Sequence, residues 1–103
     1  VYRFRADTYF GGGRWPLLTC FLGLARNAAG DREGALECLA WAVGTATPDL
    51  DLPEQVDGWL LLDPGRKQEW LDRWGPVATP LLWSHGMVLR LAADLGLLEG
   101  EPA

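Results

Sequence analysis

The chain has 103 residues, 49% of them apolar and 22% charged, with a net charge of −5. That is enough for one small domain and too apolar for a disordered segment. The acidic balance, without any basic run, argues against a nucleic-acid surface, whose phosphates need clustered Lys and Arg, and against an anionic membrane surface.

The first residues, Val1-Tyr2-Arg3-Phe4-Arg5, carry no leader pattern and read as a point inside a longer chain. The compartment stays open, with the cytoplasm favoured. The segment Val1 to Arg14 holds alternating aromatic and charged residues and then Gly11-Gly12-Gly13, and reads as an extended loop with a permissive backbone. Trp15-Pro16 then opens a helix over about 15–28, because proline fits a first turn whose N–H groups are unpaired anyway. Leu17, Leu18, Phe21, Leu22 and Leu24 give it an apolar face. Asn27 to Gly30 ends it, and Asp31 caps a second helix over about 31–45, with Glu33 favourably placed against the dipole. Leu36, Leu39, Ala40 and Val43 are its expected apolar positions. The short connection makes the two helices an antiparallel hairpin.

Leu52 to Trp74 reads as mostly loop, with a helical turn near Lys67 to Leu71. Thr79-Pro80 predicts the start of a third helix over about 79–95, which Gly96 stops. The expectation is an all-α chain. Its first and third helices are apolar on more than one face, which suits packing inside a larger helical array. No apolar run reaches the roughly 18 residues of a membrane span.

Several familiar chemistries are excluded. Cys20 and Cys38 are too few for a disulfide framework and sit in apolar helical patterns, as buried free thiols do. One His and two scattered Cys make no zinc site, and no metal or other cofactor is expected. The glycine run lacks the Lys and Ser/Thr of a phosphate-binding loop. Ser84 and His85 are adjacent, but helical neighbours point about 100° apart and cannot face each other as nucleophile and base. Six tryptophans are unusual in so short a chain, and indoles both fill cores and stack on sugar rings.

Four stretches carry a resemblance. They are Arg3-Phe4-Arg5-Ala6-Asp7-Thr8-Tyr9-Phe10-Gly11-Gly12-Gly13-Arg14-Trp15, the following Leu-rich helix with Gly30-Asp31-Arg32-Glu33, the segment Leu52-Pro53-Glu54-Gln55-Val56, and Pro80-Leu81-Leu82-Trp83-Ser84-His85. In order and spacing they resemble glycoside hydrolase family 15, the glucoamylases, glucodextranases and a group of trehalases. The resemblance implies the last helices of an (α/α)6 barrel of six-hairpin glycosidase type, incomplete here, so that residues 1–103 would form about the last quarter of a catalytic domain. It also implies inverting, exo-acting hydrolysis of α-glucosidic bonds with release of β-glucose.

Inverting glycosidases use a carboxylic acid to protonate the leaving oxygen and a carboxylate to deprotonate a water, roughly 6.5–9.5 Å apart. Glu54 is similar to the family's general base. The general acid lies upstream in the family, and none of Asp7, Asp57 or Asp63 matches it, so the segment alone is expected to be inactive. Arg3 matches an arginine that binds sugar hydroxyls, with Arg5 as a nearby competitor. Asp7 and Tyr9 match positions near the sugar, and Trp15 and Trp83 match pocket tryptophans. Trp41, Trp59, Trp70 and Trp74 match nothing in the family, and packing is expected for Trp41 and Trp74. The implied partners are an α-glucan or small α-glucoside and the remainder of the catalytic domain. Glu54-Gln55 and Leu81-Leu82-Trp83-Ser84-His85 side with the glucoamylase and glucodextranase branch. The rival readings are a trehalase of the same family and a non-catalytic helical carbohydrate-binding or interaction module.

Overall fold

The computed structural model describes residues 1–56 and 61–98, and Asp57 and Trp59 lie outside them. The described residues are all-α: four helices, with no strand and only isolated bridges between Tyr2 and Arg14 and between Arg14 and Val56. Helix α1 spans Pro16–Ala28, α2 Arg32–Gly44, α3 Lys67–Trp74 and α4 Leu82–Asp94.

Trp15 stays extended and Pro16 takes the first turn of α1. The helix buries Leu17, Thr19, Cys20 and Gly23, one stripe at helical spacing. Gly30, at φ +86°, turns the chain, and the Asp31 N–H returns to the Arg26 carbonyl at 2.8 Å. The Asp31 carboxylate then accepts from the Gly34 N–H at 2.9 Å and caps α2.

The buried face of α2 differs from the expected one. Ala35, Cys38 and Ala42 point inward, whereas Leu36 and Val43 are exposed. Close approach decides it. A β-carbon on Gly23 would stand 2.7 Å from Leu91 Cδ2 and 3.1 Å from Cys38 Cβ, so α1, α2 and α4 meet where only small side chains fit. Cys20, Ala35, Cys38, Ala42, Leu91 and Leu95 form this core, with Leu24, Leu39 and Trp41 packed around it.

The start of α4 is also corrected, from Thr79 to Leu82. Thr79-Pro80 is a cis peptide, and Leu81 remains extended because its N–H pairs with the Leu52 carbonyl at 2.9 Å. At the far end Gly96, at φ +73°, lets the Leu97 N–H reach the Ala92 carbonyl. Between these helices, α3 continues past the expected turn to Trp74 and packs on the 3-10 turn Tyr9–Gly11.

The chain is a slab of 48 × 28 × 17 Å. Its radius of gyration, 14.6 Å, exceeds the roughly 13 Å of a compact chain this long. Large apolar side chains stand on its surface, with Leu82 85% and Leu89 57% exposed on α4 alone. Faces of this kind call for a covering surface.

Cys20 and Cys38 are both free and buried. Burial, helped by Cys38, pushes the Cys20 thiol from 9.0 up to about 11. A group whose folded pKa is raised stabilises the fold fully below its unfolded value, and loses that contribution as pH climbs through the folded one. Urea midpoints should therefore fall between about pH 9 and 11, and Cys20→Ala should remove that part of the fall. Iodoacetamide at pH 8 should label Cys20 only after unfolding, which mass spectrometry would read.

Candidate functional site

The loop before α1 is built on its glycines. A β-carbon on Gly12 would lie 2.3 Å from the Asp7 carbonyl oxygen, and one on Gly13 2.5 Å from that of Val56. Arg14 and Val56 exchange backbone hydrogen bonds at 3.2 and 2.8 Å, and the Leu62 and Asp63 N–H groups donate to the Gly12 and Gly11 carbonyls. Segments far apart in sequence are thereby laid side by side.

Asp7 is 1% exposed. Its carboxylate accepts from Arg3 Nη2 at 2.8 Å, Arg3 Nε at 3.1 Å and the Tyr9 N–H at 3.0 Å. That two-pronged clamp fixes the plane of the guanidinium. The Arg3 guanidinium carbon also lies 5.1 Å from the Tyr9 ring centre, 5.4 Å from that of Trp15 and 5.3 Å from that of Phe4. Arg3 is thus gripped through one edge and its face. Arg5 has no such cradle and is exposed. Trp15 is nearly buried, and its indole N–H has no partner among the described residues.

Glu54 lies on a segment pinned from two sides. Its N–H donates to the Ala78 carbonyl at 2.8 Å. Just before it, the Leu52 N–H donates to His85 Nε2 at 3.0 Å, and the buried Ser84 hydroxyl donates to the Pro53 carbonyl at 2.8 Å. Just after it, Gln55 is buried, accepts from the Gly13 N–H at 3.0 Å and donates through Nε2 to Glu54 Oε1 at 3.3 Å. Tyr9 stands with Glu54 on the same cleft. Burial first, and then the neighbouring Glu54 carboxylate, raise the Tyr9 pKa, so the phenol keeps its proton.

Glu54 opens into a cleft of about 410 Å³ whose walls are Tyr9, Phe10, Trp70 and Trp74, with Pro76 and Ala78 at the edge. Tyr9 meets Phe10 and Trp70 edge-on, at ring-centre distances of 4.8 and 5.0 Å. Phe10 holds a left-handed backbone at φ +50°, a conformation that costs a bulky residue energy and persists where packing over-determines it. Among the described residues, Glu54 is the only acidic side chain lining the cleft. It offers one carboxylate, hydrogen-bonded by Gln55 against an aromatic wall. That suits taking a proton from a water beside a flat, hydroxylated ligand.

Tyr9 links the Glu54 cleft to the cluster of Arg3, Asp7 and Trp15. Trp83 does not line the cleft: it is 59% exposed, and its ring meets Phe21 edge-on at 6.5 Å. Trp74, expected to pack, is instead 70% exposed at the cleft wall. Sequence reasoning passed over Trp70 and Phe10. Edge-on aromatic contact is what brings them in, and no spacing rule reports it. Among the described residues, no cluster of His, Cys, Asp and Glu could hold a metal ion, and no helix is long and apolar enough to cross a membrane.

No family model matches the chain. It is 58% identical over 98 residues to the isomaltose glucohydrolase of Kribbella flavida, an alignment covering 95% of this chain and 25% of that protein. Among solved structures, a wild-type glycosidase matches with a TM-score of 0.93 and 58% identity, over 95% of this chain and 26% of that one. A glycosidase variant in complex with glucose matches at 57% identity with the same TM-score and coverage. The chain thus spans about a quarter of the length of the relatives it matches.

Proposed function

We propose that this chain is the general-base portion of an inverting, exo-acting glycoside hydrolase of family 15, in which Glu54 activates the water. The observation that carries the reading is Glu54 itself: a carboxylate hydrogen-bonded by Gln55 and flanked by Tyr9 in an aromatic cleft, in a chain 58% identical to part of an isomaltose glucohydrolase. The preferred substrate is a short α-1,6-linked glucoside such as isomaltose. This rests on that relative's name and on the likeness to a glycosidase solved with glucose.

In this reading the non-reducing-end glucose lies between the Glu54 cleft and Arg3. The Asp7 clamp takes Arg3 Nε and Nη2 and leaves Nη1 to donate to ring hydroxyls, and Trp15 adds an N–H that has no partner among the described residues. Glu54 takes a proton from a water as the water oxygen bonds to the anomeric carbon. The bond from that carbon to the leaving oxygen breaks, and the oxygen receives a proton from a carboxylic acid. That acid belongs to the remainder of the catalytic domain, whose helices also cover the exposed faces of α1 and α4. Attack opposite the leaving group inverts the anomeric carbon and yields β-glucose.

The test incubates the full-length parent with isomaltotriose, maltotetraose and trehalose and follows the first-formed anomer by proton NMR. β-Glucose, released fastest from isomaltotriose, is expected. α-Glucose as first product would overturn inversion, and hydrolysis of trehalose alone would move the chain to the trehalase branch.

A further inference from the structure

We infer that His85 is a positioning residue for the general base, acting through the backbone of the segment that carries Glu54. The inference rests on the reading of Glu54 as base. Leu52 is attached to the start of α4 through both its backbone groups: its carbonyl accepts from the Leu81 N–H at 2.9 Å, and its N–H donates to His85 Nε2 at 3.0 Å. One residue on, the Pro53 carbonyl accepts from the Ser84 hydroxyl at 2.8 Å. Residues 84 and 85 point about 100° apart on the helix, so they address successive residues of a strand of chain crossing its first turn.

The divergence that rules Ser84 and His85 out as a catalytic pair is what suits them to this work. Ser84 is fully buried and Leu52 is 5% exposed, so neither bond is easily replaced by water. Glu54 follows directly, and its own N–H is already committed to Ala78. The Leu52 bond requires a neutral imidazole with its proton on Nδ1, because only an unprotonated Nε2 can accept. Proline at 53 stiffens the link, so a displacement at Leu52 is passed on to the carboxylate two residues later. Displacements of about 1 Å at a reacting group can cost a hundredfold in rate.

Two variants of the full chain test this by reach. In His85→Gln the side-chain carbonyl falls where Nε2 stands and can accept from Leu52. In His85→Asn it falls nearer the Nδ1 position, short of Leu52. His85→Gln is expected to keep kcat within about threefold, and His85→Asn to lose roughly tenfold or more in kcat with KM little changed. A purely structural role would instead lower the unfolding midpoint of both and move KM with kcat. Equal kcat in the two variants, or failure of both to fold, would overturn the assignment. Glu54→Gln is run beside them. If it is inactive while the two His85 variants match, only the positioning role falls. If it is active, the base reading falls and takes the positioning role with it.

Discussion

Glu54→Gln in the full-length chain is expected to lower kcat on its best α-glucoside by roughly a hundredfold or more, the scale of losing a general base. The substitution keeps the side chain's size and an acceptor oxygen, so Gln55 can still hydrogen-bond at that position. What disappears is the ability to take a proton. Because the ground-state contacts survive, KM should stay within a few-fold and the unfolding midpoint should be nearly unchanged. Steady-state kinetics with a melting curve separate this from damage. Near-normal turnover would leave Glu54 an ordinary loop residue and move a non-catalytic sugar-binding reading ahead.

Gly13→Ala should rank second, and its mechanism is steric. Its new β-carbon would meet the Val56 carbonyl oxygen at 2.5 Å and Gln55 Oε1 at 2.7 Å. Neither can yield freely. The Val56 carbonyl is paired to the Arg14 N–H, and Gln55 Oε1 accepts from Gly13 itself while its Nε2 reaches Glu54. Relief of the clash therefore displaces the segment bearing the base. A loss of about 1–3 kcal/mol in stability, the usual cost of overpacking, is expected together with at least a tenfold fall in kcat. Denaturant midpoints and turnover on the full chain measure both. Gly30→Ala is the control, since nothing lies within 4 Å of that position. It pays only for its φ of +86° and should leave kcat alone.

Helix ends were the most legible part of the sequence. Proline at 16, Asp31 and the glycines at 30 and 96 each impose a local condition that their own backbone or side chain satisfies. Faces were less legible. Ranking residues by apolar size favours Leu36 and Val43 on α2, but the helix turns Ala35, Cys38 and Ala42 inward, because Gly23 on α1 and Leu91 on α4 leave no room for more. That condition belongs to three helices at once and is absent from any one of them. Thr79-Pro80 failed as a helix start for a similar reason. The claim of Leu52 on the Leu81 N–H, from a distant segment, holds the chain extended until Leu82.

The site divides the same way. Arg3, Asp7 and Tyr9 are close in sequence, and the loop brings them together. Glu54 is joined to them through Tyr9, and Gln55 beside it was already a plausible support. Trp70 sits within the turn the sequence suggests, and Trp74 enters the cleft because α3 continues beyond that turn to its eighth residue. Trp83 shares the Ser84-His85 turn, yet its ring goes to Phe21.

The glycine run has a consequence for hydrogen exchange. Every N–H from Gly11 to Arg14 is bonded within the protein, and those of Val56, Leu62 and Asp63 close the same lattice from the other side. The amides of Gly13, Arg14, Val56, Leu62 and Asp63 belong to no helix, yet each bonds to a distant segment, so releasing one means separating neighbouring segments together. In deuterium they should exchange at rates set by such a concerted opening, as slowly as amides inside α1, whereas most loops exchange by local fraying. The part of the chain with the least regular geometry would then be among the last to take up the label.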